Sequence, residues 1–169
     1  DGFPFLLATE ASLSEVNVRL EAEGGGGGPL PMNRFRPNIV VSGADVSPFQ
    51  EDTWRRVKIG EIIFRSVKGC SRCKITTTDQ ATAVVGAVLG VDGVTAEPLA
   101  TLQTFREVGV KGNVYFGQNL VHEWPPPFLY RAKRWANGAS SLPMVRVGDP
   151  VEVLEWGGPI FDRKTTDAE

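Results

Sequence analysis

The chain has 169 residues, 41% of them hydrophobic and 22% charged, enough to bury a core and most simply a single domain. A net charge of −2 excludes the electrostatic footprint of a nucleic-acid binder. No apolar run reaches the length needed to span a bilayer, and two cysteines in so long a chain make no disulfide scaffold, so a reducing, intracellular setting is expected.

The chain opens at Asp1 and passes at once into Phe3 to Thr9, apolar and short, which reads as a buried strand already under way. The expectation is that sequence precedes Asp1 in the parent protein. Ser12-Leu13-Ser14-Glu15 fits a capping box with Ser12 as N-cap, and Leu13, Val16 and Leu20 continue at helical spacing. Gly24 to Gly28 ends that helix in a loop that costs too much backbone entropy to order cheaply. The run is no phosphate-cradling loop, because no Lys-Ser/Thr follows and Pro29 blocks a helix start.

Asn33-Arg34-Phe35-Arg36-Pro37-Asn38 leads into the β-branched strand Ile39-Val40-Val41. Trp54, Val57 and Ile59 form a strand pattern, Gly60 turns the chain, and Glu61 to Val67 returns as another strand. Ile75 to Thr78 is expected to be extended, and Val84 to Val94 to be an insertion or irregular element. Leu99, Leu102 and Phe105 suit a short helical turn or a strand edge. Val114-Tyr115-Phe116 and Asn119 to Trp124 read as one strand interrupted by Gly117-Gln118. Pro125 to Leu142 reads as a long excursion, and Val145 to Trp156 closes the chain around the turn Gly148-Asp149-Pro150. Short strands punctuated by glycine and proline indicate a mainly β, barrel-like domain with a few short helices. The pattern lacks the alternating strands and long helices of a dinucleotide-binding fold.

Cys70 and Cys73 are the only thiols, and they stand where an apolar strand pattern gives way to a polar loop. Three readings are open from the residues. The pair fills a core, since cysteine is among the most buried residue types. Alternatively it supplies two of four zinc ligands, with His122 and carboxylates as a weak remainder. The third reading is a single thiolate on a soft transition metal, with Arg36 offering its planar fork to a phosphate or another anionic group. On this reading Arg36, just before Pro37, is held extended. A thioredoxin-like dithiol is poorer, because β-favouring threonines follow where that motif needs a helix.

Several motifs occur in one order: Asn33-Arg34-Phe35-Arg36-Pro37-Asn38-Ile39-Val40-Val41-Ser42-Gly43, Glu51-Asp52-x-Trp54, Cys70-Ser71-Arg72-Cys73, Thr76-Thr77-x-Asp79, Glu97-Pro98-Leu99, Tyr115-Phe116-Gly117-Gln118 and Val147-Gly148-Asp149-Pro150-Val151. Together they resemble the MOSC domain, named for the molybdenum cofactor sulfurase C-terminus, over nearly all of 1–169. Cys-Ser-Arg-Cys followed by Lys-Ile-Thr-Thr-Thr-Asp-Gln looks most like the amidoxime-reducing components, of the plant and algal type. The sulfurases, which usually carry Cys-Asn-Arg-Cys-Gln, are the nearest rival.

The resemblance implies a MOSC-type β-barrel that helps hold the pterin-based molybdenum cofactor. By the same resemblance Cys73 ligates molybdenum, Cys70 is a structural neighbour, Arg36 and Asn38 help hold the cofactor, and Ser71 and Arg72 lie on the loop that presents the ligand. Asp1 matches an acidic residue near the metal and could relay a proton. The implied activity is reduction of N-hydroxylated compounds (amidoximes and hydroxylamines), with nitrite to nitric oxide as a second reaction. Electrons would come from a b-type cytochrome and its flavin-containing reductase, with Arg55-Arg56-x-Lys58 or Arg131 to Arg134 as contacts to an acidic cytochrome face. The family's phosphate-gripping residues lie largely in an N-terminal half, expected here as a partner from the same protein. The cytoplasm is preferred to a mitochondrial association. The turn Asp79-Gln80-Ala81-Thr82-Ala83 departs from the family's Asp-x-x-Thr-Gly and is expected to be reshaped. The alternatives are a sulfurase-type cofactor-binding domain and a non-catalytic β-domain with a zinc or a buried thiol pair.

Overall fold

The apolar run after Pro4 forms strand β1 (Phe5–Thr9), and successive side chains point to opposite faces, so Leu7 enters one core and Ala8 another. The structure, a computed structural model, describes residues 2–24, 28–84, 97–108, 112–123 and 144–161. The remaining strands are β2 (Ile39–Val41), β3 (Trp54–Ile59), β4 (Ile62–Ser71), β5 (Tyr115–His122) and β6 (Val151–Trp156). They form one six-stranded sheet in the order β2-β1-β5-β4-β3-β6, with only β1 and β2 parallel. A parallel pair needs a crossover, and helix α1 (Glu10–Ala22) supplies it. Register shifts between β3 and β6 and between β4 and β5 help curl the sheet into a half-barrel. The mainly β expectation holds in this form.

One face packs Leu7, Val41, Trp54, Val57, Ile59, Phe64 and Leu120. The other packs Ala8, Phe35, Val114 and Phe116 against Val16 of α1 and Leu102 of α2 (Leu99–Arg106), so the run from Leu99 is a helix rather than a strand edge. The expected excursion from Pro125 to Leu142, the segment 85–94, the glycines 25–27, the cluster Arg131 to Arg134 and Asp1 lie outside the described residues.

Two local expectations are corrected. The N-cap of α1 is Thr9 rather than Ser12: Thr9 is extended and its hydroxyl accepts the Ser12 N–H at 3.1 Å. The Ser12 hydroxyl is thereby freed to accept the Phe49 N–H at 2.7 Å and to donate to the buried Glu51 carboxylate at 2.7 Å. Glu15 pairs with Arg19 one turn on, at 2.7 Å. Ile75 to Thr77 is not extended either, because Lys74–Thr77 is a 3-10 helix, and of that run only Thr78 is extended. The Thr76 and Thr77 hydroxyls donate to the Cys73 and Lys74 carbonyls at 2.9 and 2.7 Å, offering the backbone a turn in place of a ladder.

Strand β5 runs unbroken through Gly117-Gln118, but it slips phase there. Between the pairs Gly69↔Gln118 and Ser71↔Tyr115, β4 advances two residues while β5 advances three. This bulge sends Phe116 and Leu120, which would share a face on a regular strand, into different cores. Gly117 absorbs the slip with φ +78°, and a Cβ there would stand 2.6 Å from the Leu7 carbonyl oxygen. Gly117→Ala should therefore lower stability by about 2–4 kcal/mol, from left-handed strain and overpacking together, read as a shifted urea midpoint. A loss under about 0.5 kcal/mol would contradict the role given to the bulge.

Under the helices sits a buried polar junction. Asp52 accepts from Arg106 Nη2 and Gln118 Nε2, both at 2.7 Å, and Arg106 Nε donates to the Tyr115 carbonyl at 3.0 Å. Adjacent Glu51 is fully enclosed, and burial pushes its pKa above the ordinary 4.5 against the opposing pull of the Ser12 hydrogen bond. The folded state thus holds the Glu51 proton more tightly than the unfolded chain. Its contribution to stability falls as pH rises from about 4.5 through the raised value, then levels off. Asp79 and Glu123, whose carboxyls are held low, act in the opposite sense on the acid side. Glu51→Gln should flatten the fall above pH 4.5 and keep the acid-side loss, seen by comparing urea midpoints across that range. Parallel pH curves for the two proteins would contradict it.

Candidate functional site

Strand β4 ends at Ser71, exposed and paired with Tyr115, and the chain leaves the sheet through Arg72 and Cys73. Cys73 is extended and exposed at the head of the 3-10 helix, its carbonyl held by the Thr76 N–H at 3.1 Å and the Thr76 hydroxyl at 2.9 Å. The backbone is pinned while the thiol faces outward. Cys70 is half-buried.

A second limb runs through the 3-10 helix Met32–Arg34 to β2. Phe35 anchors it, buried and stacked on Phe116 at 3.8 Å. The next residue, Arg36, is not extended as its place before Pro37 suggests. Its φ is +54°, because its N–H closes the turn onto the Asn33 carbonyl at 3.2 Å while Asn38 is locked to β1. That lock is reciprocal: Asn38 N–H donates to the Leu6 carbonyl at 2.9 Å, and Asn38 Oδ1 accepts the Leu6 N–H at 2.8 Å. A non-glycine residue here stores about 1–3 kcal/mol of strain, the kind of outlier that marks functional sites. Arg36 is exposed and lines an open cleft of about 490 Å³ with Met32, Asn33, Pro37, Val40 and Gln80.

Two arginines fasten the limbs together. Arg72 donates through Nη2 to the Phe35 carbonyl at 2.8 Å and through Nη1 to Cys70 Sγ at 2.9 Å. Arg34 donates through Nη1 to the Thr77 carbonyl at 2.9 Å and pairs with Asp79 at 3.2 Å. The Nε atoms of both arginines are buried without a hydrogen-bond partner among the described residues. A buried donor left open in this way costs free energy unless water or another group reaches it.

The structure thus brings Arg36, Ser71, Arg72 and Cys73 to neighbouring limbs, and commits one side of Asn38 to β1. Asp1 lies outside the described residues. Arg34 and Gln80 were not legible as site residues: their partners are either dozens of positions away or a cleft that only folding creates. The zinc and buried-thiol readings lose their support. Neither cysteine is buried, and His122 stands at the opposite end of β5 from Ser71's partner Tyr115, about 23 Å along the strand. Among the described residues no three His, Cys, Asp or Glu side chains could hold a metal ion. The expected cationic contact Arg55-Arg56-x-Lys58 is largely neutralised, because Arg56 is bidentate to Glu123 at 2.8 and 3.0 Å and Lys58 lies 3.9 Å from Glu152.

Residues 1–152 match the MOSC domain family. The chain is 35% identical over 160 residues to human mitochondrial amidoxime-reducing component 1, covering 91% of this chain and 38% of that protein. It is 41% identical over 121 residues to a rice molybdenum cofactor sulfurase, covering 70% of this chain and 13% of that protein. To zebrafish mitochondrial amidoxime-reducing component 1 it is 42% identical over 106 residues, 63% of this chain and 28% of that protein. The chain therefore spans well under half the length of these relatives.

The loop 79–83, which departs from the family's Asp-x-x-Thr-Gly, turns on its aspartate. Asp79 Oδ1 accepts the Ala81 and Thr82 N–H groups and the Thr82 hydroxyl at 2.9–3.0 Å, and the Thr82 bonds, then the Ala81 amide, hold its pKa below the carboxylate range. Ala83 takes the left-handed place, φ +56°. Ala83→Gly should relieve that strain and raise stability by about 0.5–1 kcal/mol, measured as a higher urea midpoint. A drop would mean that the extra freedom glycine gives the unfolded chain outweighs the relieved strain.

Proposed function

Because this chain belongs to the MOSC domain family, we propose that it is the cofactor-holding domain of a molybdenum-dependent reductase of N-hydroxylated compounds, amidoximes and hydroxylamines, with nitrite reduction to nitric oxide as a second reaction. The observation that carries this reading is the outward thiol of Cys73, on a loop clasped beside a cleft that an exposed arginine lines.

The residues present fit the cofactor. Cys73 offers a soft, accessible sulfur on a pinned backbone, the donor type that a soft transition metal selects. The exposed guanidinium of Arg36, with Arg72 on the neighbouring limb, is suited to the anionic part of a pterin phosphate. The amide nitrogen of Asn38 and the hydroxyl of Ser71 add neutral polar groups on the same two limbs. Bound there, the molybdenum cofactor supplies the two-electron redox couple that side chains lack. The chain's own part is to orient it: Cys73 anchors one end, the arginines hold the charge, and Asp1 carries a proton. Electrons are supplied by a b-type cytochrome and its flavin-containing reductase. The two free thiols suit a reducing compartment, the cytoplasm before a mitochondrial association.

The rice sulfurase likeness supports a second reading, in which the same geometry binds the cofactor and passes sulfur to it. Protein made in a cofactor-competent host separates the readings. Molybdenum should co-purify, Cys73→Ala should reduce it to background, and Cys70→Ala should retain it. Equal loss from both variants would contradict the assignment of the metal to Cys73. Reduction of benzamidoxime with an artificial electron donor, abolished by Cys73→Ala, is expected of the reductase and not of the sulfurase.

A further inference from the structure

Beyond β6 the chain turns back across the sheet, through residues that lie past the 1–152 matched to the family. Gly157 N–H donates to the Thr53 carbonyl at 2.8 Å and leads the chain off the strand. Gly69 N–H then donates to the Ile160 carbonyl at 2.7 Å, and the Phe161 ring lies 4.8 Å from that of Tyr115. Phe161 also stands 5.8 Å from the Arg106 guanidinium, which is itself bound to the Tyr115 carbonyl.

This contact falls at the bulged end of β4. Gly69, paired with Gln118, sits at the register shift opposite the β5 bulge; its N–H is taken outside the ladder by Ile160, and its carbonyl accepts from Asn119 Nδ2 at 3.4 Å. A Cβ at position 69 would meet the Phe161 ring at 3.1 Å and the Tyr115 ring at 3.2 Å, so glycine leaves the room that Phe161 fills. Cys70 is the next residue, and Arg72 then binds the Val114 carbonyl at 2.8 Å before Cys73.

We propose that Phe161 is a positioning residue for Cys73: residues 157–161 strap the bulged end of β4 and so set where the thiol loop leaves the sheet. The role rests on reading Cys73 as the metal-binding thiol, but its first test does not. A tail that only adds bulk stabilises the whole domain evenly. A strap at Gly69 protects the amides of 69–73 in particular.

Hydrogen exchange followed by mass spectrometry on Phe161→Ala and Gly69→Ala, without cofactor, makes that distinction. Each variant should speed exchange across 69–73 by about tenfold or more, with α1 and β1 unaltered. The double variant should add little, since both substitutions break one contact. Unchanged exchange, an even rise throughout the domain, or additive effects would overturn the proposal. If Phe161→Ala does not fold, Phe161→Leu, which keeps apolar bulk, is read in the same way. In cofactor-loaded protein, Phe161→Ala should alter the paramagnetic resonance of the half-reduced molybdenum centre at unchanged metal content, and Phe161→Tyr should restore it. An unaltered signal would place the strap's effect short of Cys73 and sink the positioning role. If the protein holds no molybdenum, the proposed function falls, and the exchange data alone decide the strap.

Discussion

The fork of Arg72 is the constraint on which the site depends. Its two terminal nitrogens reach the Phe35 carbonyl on one limb and the Cys70 sulfur on its own, joining segments 37 residues apart in the chain. Only arginine offers two donors held rigidly in one plane, so lysine could serve one limb at a time. Arg34 makes the reverse connection, from the Phe35 limb to Thr77 and Asp79. Each clasp fixes a backbone carbonyl, which leaves the neighbouring side chains free. Cys73 and Arg36 remain exposed because their neighbours carry the structural work.

Behind the clasp lies a junction that trades apolar packing for buried charge. Asp52 and Arg106 are nearly enclosed, and desolvating such a pair costs several kcal/mol, which only good geometry and extra hydrogen bonds offset. Gln118, the Tyr115 carbonyl and the face of Phe49, 4.2 Å below the guanidinium, supply them. What the arrangement gives is connection: α2, β5 and the turn before β3 meet at one guanidinium. Phe49 itself is left-handed, φ +60°, and its N–H is held by Ser12. Together with Arg36 and Ala83, it is one of three non-glycine residues with positive φ among the described residues. Arg36 lines the cleft and Ala83 closes the turn that contains the cleft residue Gln80, so two of these three strained residues stand at or beside the cleft.

The β5 bulge links these parts. Its extra residue sends Phe116 under the helices to stack on Phe35 and sends Leu120 into the opposite core. It lies opposite Gly69, whose N–H is taken by Ile160 outside the ladder, one position before Cys70. One inserted residue therefore supports the arginine limb and sits beside the exit of the thiol limb.

The sequence by itself determined the mainly β class, most strand positions and the helix after β1. Those rest on local periodicity and on motif order, which need no knowledge of what packs where. Tertiary structure decided the rest. Ser12 looked like a helix cap until Glu51, 39 residues on, claimed its hydroxyl and left Thr9 to cap. The threonines after Cys73 favoured a strand, yet their hydroxyls found carbonyls three residues back and wound a turn. Arg34 carried no signal, since its partners stand 43 and 45 positions away. Local preferences amount to tenths of a kcal/mol per residue, roughly, whereas a buried carboxylate or an orphaned carbonyl costs about 1–3 kcal/mol, so the distant partner prevails wherever the two conflict.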